Sequence, residues 1–152
     1  MKILLTTLNS KYVHANLALK YLYTVVAGEY SDVEAREFTI NNDPHYVYGE
    51  ILRGGYDMVC FSCYIWNIEQ IRKLAADLKM ACPELLLTAG GPEASSRGPA
   101  FARENPWVDF VLRGEGEYPF YRLCQVLHEP QRALETVPGL IYRQDGKIYV
   151  NA

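Results

Sequence analysis

Two short glycine-bearing segments, each placed where an apolar run stops, constrain this chain more than any other feature. Thr88-Ala89-Gly90-Gly91-Pro92-Glu93 follows Leu85-Leu86-Leu87, and Arg113-Gly114-Glu115-Gly116-Glu117 follows the run from Val108 to Leu112. In an open parallel α/β sheet every strand's carboxyl end points to one rim, and ligands bind there, where strand order reverses. Glycine at two neighbouring strand exits lets a ligand approach backbone, because no Cβ stands in the way.

The rest of the chain supplies the sheet. Ile3 to Leu8 is apolar on both alternating faces, as in a buried parallel strand. Ala15, Ala18, Leu19, Leu22, Val25 and Val26 then follow helical spacing, with Gly28 placed to end the helix. The pattern repeats with a strand from Val33 to Ile40, a helix from Tyr46 to Leu52 closed by Gly54-Gly55, and a strand from Met58 to Ser62. Ile68, Ile71, Leu74, Ala75 and Leu78 mark the next helix, and Leu85 to Thr88 the fourth strand. A weaker helix holds Phe101-Ala102 and contains Gly98-Pro99; Val108 to Leu112 is the fifth strand. Pro119 suits the first turn of a last helix carrying Phe120, Tyr121, Cys124 and Leu127. Five strands alternating with five helices predict a flavodoxin-like, doubly wound parallel sheet of order 2-1-3-4-5.

Residues 1–128 are expected to form this domain. Residues 129–152 change character: a polar connector from Glu129-Pro130 leads to Leu140–Arg143 and Lys147–Val150, flanking Gln144-Asp145-Gly146. Asp-Gly between apolar runs predicts a β-hairpin, and the end of the chain two residues later is read as the cut edge of a longer protein.

Charge excludes some partners. Fifteen basic residues face 18 acidic ones, net −3, and no basic run exceeds Arg72-Lys73, so no nucleic-acid partner is expected. The opening Met1-Lys2-Ile3-Leu4-Leu5 turns polar at Thr6, no stretch approaches the length of a membrane span, and the four cysteines are irregularly spaced. These features predict a cytoplasmic protein without disulfides or a membrane partner.

Several ligand classes share this fold and are separated by residues at the first strand's exit, Thr6-Thr7-Leu8-Asn9-Ser10. A phosphorylation receiver needs clustered acids there, and dinucleotide and flavin phosphate loops need glycine, yet no glycine precedes Gly28. Thr7, Asn9 and Ser10 can cap the following helix or bind an anion weakly. Cys60-x-x-Cys63 has zinc or thiol-redox spacing, but residues three apart on a strand point to opposite faces, so buried structural cysteine is expected. Cys82 and Cys124 lie on helical stretches. His14, in the first strand-to-helix loop, can ligate a metal or simply face solvent. Tyr12, Tyr64 and Trp66 flank the same rim and can cover a flat apolar face or serve as half-buried aromatics.

Taken together, Gly90-Gly91-Pro92-Glu93-Ala94-Ser95, Arg113-Gly114-Glu115-Gly116-Glu117, the early Leu4–Asn9 strand, Ser62 and Pro138-Gly139-Leu140-Ile141-Tyr142-Arg143 make the chain resemble the N-terminal cobalamin-binding domain of radical-SAM proteins. Anaerobic magnesium-protoporphyrin IX monomethyl ester cyclases are one branch of that group. The resemblance implies that cobalamin's nucleotide tail lies beside the third and fourth strands against Ser62, Gly90 and Gly91. Asn9, Ser10, Pro92, Gly114, Glu115 and Gly116 complete the implied cofactor set, with the corrin over Tyr12, His14, Tyr64 and Trp66. The family's Asp-x-His-x-x-Gly motif is reduced here to His14 within Tyr12-Val13-His14-Ala15-Asn16-Leu17. Without the orienting acid, the expectation is a lower cobalt face with no protein ligand. The resemblance further implies a [4Fe–4S] cluster and S-adenosylmethionine in a C-terminal radical-SAM domain, the partner of this module, for methyl transfer or related radical chemistry. The cysteines at 60, 63, 82 and 124 cannot form the Cys-x-x-x-Cys-x-x-Cys cluster motif. The alternative is a flavodoxin-like docking domain that has lost its cofactor.

Overall fold

The computed structural model describes residues 1–11 and 15–152. Its strands are β1 (Ile3–Asn9), β2 (Val33–Thr39), β3 (Met58–Ser62), β4 (Leu86–Gly90), β5 (Phe110–Leu112), β6 (Leu140–Gln144) and β7 (Lys147–Val150). Its helices are α1 (Leu17–Ala27), α2 (Pro44–Gly54), α3 (Ile68–Ala81), α4 (Pro92–Arg97), α5 (Pro99–Glu104) and α6 (Glu117–His128). One sheet runs β2-β1-β3-β4-β5-β6-β7. The first five strands are parallel in the expected order, and the hairpin joins this sheet, β6 pairing antiparallel with β5 and β7 with β6.

The apolar pattern of the strands explains the two-sided packing. All seven residues of β1 are buried, and its side chains divide between two cores. Leu4 and Leu8 join Val59, Phe61, Leu87, Ala89 and α3 on one face. Ile3 and Leu5 join Met58, Cys60, Phe110, Leu112, α1 and α6 on the other. Val137, Leu140 and Tyr142 belong to that second core, so the hairpin is packed with the domain.

Local chemistry sets the helix boundaries. Asp43 caps α2, accepting from His45 N at 2.7 Å, Pro44 occupies its first turn, and Gly55 ends it at φ 62°. Asn16, outside the anticipated capping residues, caps α1: its Oδ1 accepts from Leu19 N at 3.2 Å. The single weak helix anticipated around Phe101 is two short helices instead. Gly98, at φ 47°, breaks the path between them, and Pro99 starts the second.

One buried side chain ties the strand exits together. Asn67, 1% exposed, donates from Nδ2 to Thr7 Oγ1 at 3.2 Å, Leu8 O at 3.1 Å and Ser62 O at 3.2 Å. Its Oδ1 accepts from Tyr64 N at 2.8 Å. Removing the carboxamide strands buried acceptors at the ends of β1 and β3. Asn67→Ala is therefore expected to cost about 2–4 kcal/mol, measured as a loss of unfolding free energy in urea; a change below about 0.5 kcal/mol would contradict the assignment.

Candidate functional site

The parallel register brings Ser62 opposite Gly90, with Cys60 and Thr88 one layer deeper on the same face. Leu19 and Leu22 of α1 stand across from them, and Leu112, Gly114, Gly116 and Glu117 form the third wall. These residues enclose a crevice of about 110 Å³ between the sheet's carboxyl rim and the α1–α6 layer.

The two adjacent glycines do different things. Gly91 has φ 85°, and a Cβ there would lie 2.8 Å from Cys63 O and 2.9 Å from Cys63 N, both backbone atoms. It is required for the β4 exit to close against the β3 exit, where Cys63 N donates to Gly90 O at 2.8 Å and Glu93 N donates to Cys63 O at 3.2 Å. Gly90 has room: its Cβ would meet only Leu112, at 3.9 Å or beyond. The missing side chain at Gly90 therefore leaves part of the crevice open.

Polar groups at the crevice suit a ligand with both donors and acceptors. Ser62 uses its carbonyl to accept from Thr7 Oγ1 at 2.9 Å and from Asn67, while its hydroxyl, on a residue 6% exposed, lines the crevice. Thr88 Oγ1 contacts Met58 Sδ at 3.5 Å. On the third wall Gly114, at φ 70°, donates from its N–H to Ser95 Oγ at 2.7 Å, which fixes the β5 exit to α4.

Of the thirteen residues singled out in the sequence, Ser62, Gly90, Gly91, Gly114 and Gly116 line the crevice. Pro92 starts α4, Glu115 is exposed in the turn before α6, and Ser10 is half-buried past β1. Tyr64 stands at the rim, stacked on Trp66 with ring centroids 4.4 Å apart. Asn9 ends β1 and donates from Nδ2 to Glu37 Oε2 at 2.5 Å. Tyr12 and His14 lie outside the described residues. Asn16, Glu37 and Asn67 escaped the sequence reading, because only their bonds across the fold distinguish them from ordinary polar loop residues.

A larger hollow of about 720 Å³ lies on the opposite face, between α2 and α3, floored by Leu8, Val47 and Leu74. Among the described residues, none of those singled out in the sequence lines it.

A B12-binding domain model matches residues 3–124. The chain belongs to that family. Its curated relatives include the cobalamin-dependent radical SAM methyltransferase TokK of Streptomyces tokunonensis, 34% identical over 88 residues, 58% of this chain and 13% of TokK. The 2-(S-pantetheinyl)-carbapenam-3-carboxylate methyltransferase of Streptantibioticus cattleyicolor is 39% identical over 87 residues, 57% of this chain and 13% of that protein. The chain thus matches only a small part of these relatives' length. The B12-binding domain also shares its fold with the radical S-adenosylmethionine methyltransferase TsrM of Kitasatospora setae, at TM-score 0.80 and 19% identity over 98% of this chain and 30% of that one. The same holds for the cobalamin-dependent S-adenosylmethionine radical enzyme OxsB, solved with aqua-cobalamin and S-adenosylmethionine, at TM-score 0.77 and 16% identity over 99% of this chain and 22% of that one.

Cys60 and Cys63 fall in the two opposite cores of the B12-binding domain, so the strand keeps their sulfurs apart. Burial raises the Cys60 thiol well above its ordinary pKa and pushes Cys63 and Cys124 up to about 12, keeping all three protonated at neutral pH. Cys82 is exposed. A thiol-reactive disulfide reagent is expected to titrate one cysteine in the native chain, lost in Cys82→Ser, and four after denaturation; rapid native reaction of two or more would contradict this packing.

Proposed function

We propose that this chain is the cobalamin-holding module of a larger cobalamin-dependent radical-SAM methyltransferase, with the nucleotide tail in the Ser62–Gly90 crevice. The observation that carries the reading is the pairing of an inward hydroxyl with a side-chain-free position at the crevice floor. A bulky heterocycle on a ribose needs backbone approach, which Gly90 permits, and a hydrogen-bonding group for its ring nitrogen, which Ser62 Oγ supplies. Family membership and the relatives' named cofactor support the same assignment.

The residues divide the work. Ser62 orients the tail, Gly90 admits it, and Gly91 holds the β3 and β4 exits close enough to form one wall. Gly114 and Gly116 keep the third wall low, and the stacked Tyr64–Trp66 pair offers an apolar surface at the rim for the corrin. When bound, cobalamin supplies a cobalt centre able to carry a methyl group. The iron–sulfur cluster, S-adenosylmethionine and the catalytic domain belong to the remainder of the proposed enzyme, to which residues 129–152 would lead.

Ordinary ligand pockets begin near roughly 300 Å³, and the crevice holds about 110 Å³. Entry of the tail therefore requires Leu19 and Leu22 to draw back from the sheet. That motion opens a hydrophobic contact between α1 and the strands and is offset by burying the heterocycle in its place.

Titration of the purified chain with hydroxocobalamin, followed by its visible spectrum and by filtration, tests the proposal. Saturable one-to-one binding is expected, weakened at least tenfold by Gly90→Leu, whose Cβ meets no atom closer than 3.9 Å and whose side chain fills the crevice. Gly91→Ala instead is expected to cost about 3 kcal/mol of stability, through its positive φ and its clash with Cys63. Unchanged binding in a folded Gly90→Leu variant would remove the tail from this crevice.

A further inference from the structure

We infer that Glu37, on the edge strand and outside every cofactor motif in the chain, is the positioning residue that sets the rim of this site for the corrin. Glu37 Oε2 accepts from Asn9 Nδ2 at 2.5 Å and from Asn16 N at 2.9 Å. Asn9 ends β1 and Asn16 caps α1, so a single carboxylate oxygen holds both ends of the β1–α1 connector. Asn16 Nδ2 donates in turn to Tyr64 OH at 3.1 Å, and Tyr64 N donates to Asn67 Oδ1 at 2.8 Å.

The chain of bonds therefore runs from β2 through the β1–α1 connector to the β3–α3 loop. Asn16 precedes Ala18 and Leu19 of the crevice lining, Tyr64 follows Ser62 on it, and Tyr64 carries the stacked Trp66 with it. Hydrogen bonds to a carboxylate are about twice as strong as neutral ones, and a shared acceptor fixes two donors at one point. Glu37 is half-buried, which shields the clamp from competing water. Since neither Asn16 nor Tyr64 lines the tail crevice, the main effect is expected on the corrin side of the site.

The inference rests on the cobalamin-holding reading, and two corrinoids separate the failure of one from the failure of the other. Hydroxocobalamin carries the nucleotide tail; cobinamide has the corrin without it. Affinities of both are measured for the full 152-residue chain and for Glu37→Ala, Glu37→Gln and Tyr64→Phe, with binding stoichiometry reporting the folded fraction. Glu37→Ala is expected to weaken both corrinoids by a similar factor, about tenfold, at unchanged stoichiometry. Glu37→Gln, which keeps an acceptor oxygen, is expected to recover part of that loss, and Tyr64→Phe to weaken both corrinoids through the loss of its link to Asn16. If Glu37→Ala fails to fold, Glu37→Gln and Tyr64→Phe carry the test.

Wild-type affinity in Glu37→Ala, a loss confined to hydroxocobalamin, a Gln variant as weak as Ala, or an unchanged Tyr64→Phe would each overturn the assignment. Absence of hydroxocobalamin binding by the wild-type chain would instead remove the cobalamin-holding reading on which it stands.

Discussion

The backbone contact between Gly91 and Cys63 is the constraint from which the geometry of the rim follows. A Cβ at Gly91 would sit inside the van der Waals shell of Cys63 O and N, so only glycine lets the β4 exit lie flat against the β3 exit. That contact allows Cys63 N to bond Gly90 O and Glu93 N to bond Cys63 O, carrying the pairing past the last ladder residues. Ser62 and Gly90 are then held side by side, and the open position at Gly90 becomes a cavity wall in place of a random gap.

Around that fixed wall the other boundaries are softer. α1 closes the crevice mainly through Leu19 and Leu22, contacts that a bound heterocycle can replace in kind. The polar chain through Glu37, Asn16, Tyr64 and Asn67 ties β1, β2 and β3 together. On the proposed reading, a crevice whose leucines can give way to a ligand therefore adjoins a network held by directional bonds. The larger α2–α3 hollow differs in that no glycine lies among its described lining residues.

The strand order and the two-sided core were legible in the sequence because both rest on periodicity. Apolar residues on both faces of β1 and β3 require a sheet covered twice, and the spacing of α1, α3 and α6 supplies the cover. The glycine turns were legible for the same reason: Gly90, Gly91, Gly114 and Gly116 follow apolar runs, and the fold brings all four to one crevice. What periodicity does not encode is pairing across the fold. The division of labour between Gly90 and Gly91 depends on where Cys63 lies, and Glu37 is one of several acidic residues until its oxygen is seen between Asn9 and Asn16. Capping was assigned to the residues nearest β1, whereas Asn16, adjoining the first helical turn, does it. The break at Gly98 was anticipated only as weakness in one helix, since a positive φ is a property of the path and not of the residue name.

A crystal structure of this chain grown with hydroxocobalamin tests the central claim most directly. The account predicts the nucleotide base packed against Gly90 within hydrogen-bonding distance of Ser62 Oγ, with Leu22 displaced from its place over the sheet. A base lodged in the α2–α3 hollow, or left in solvent while the crevice stays closed by Leu19 and Leu22, would contradict it.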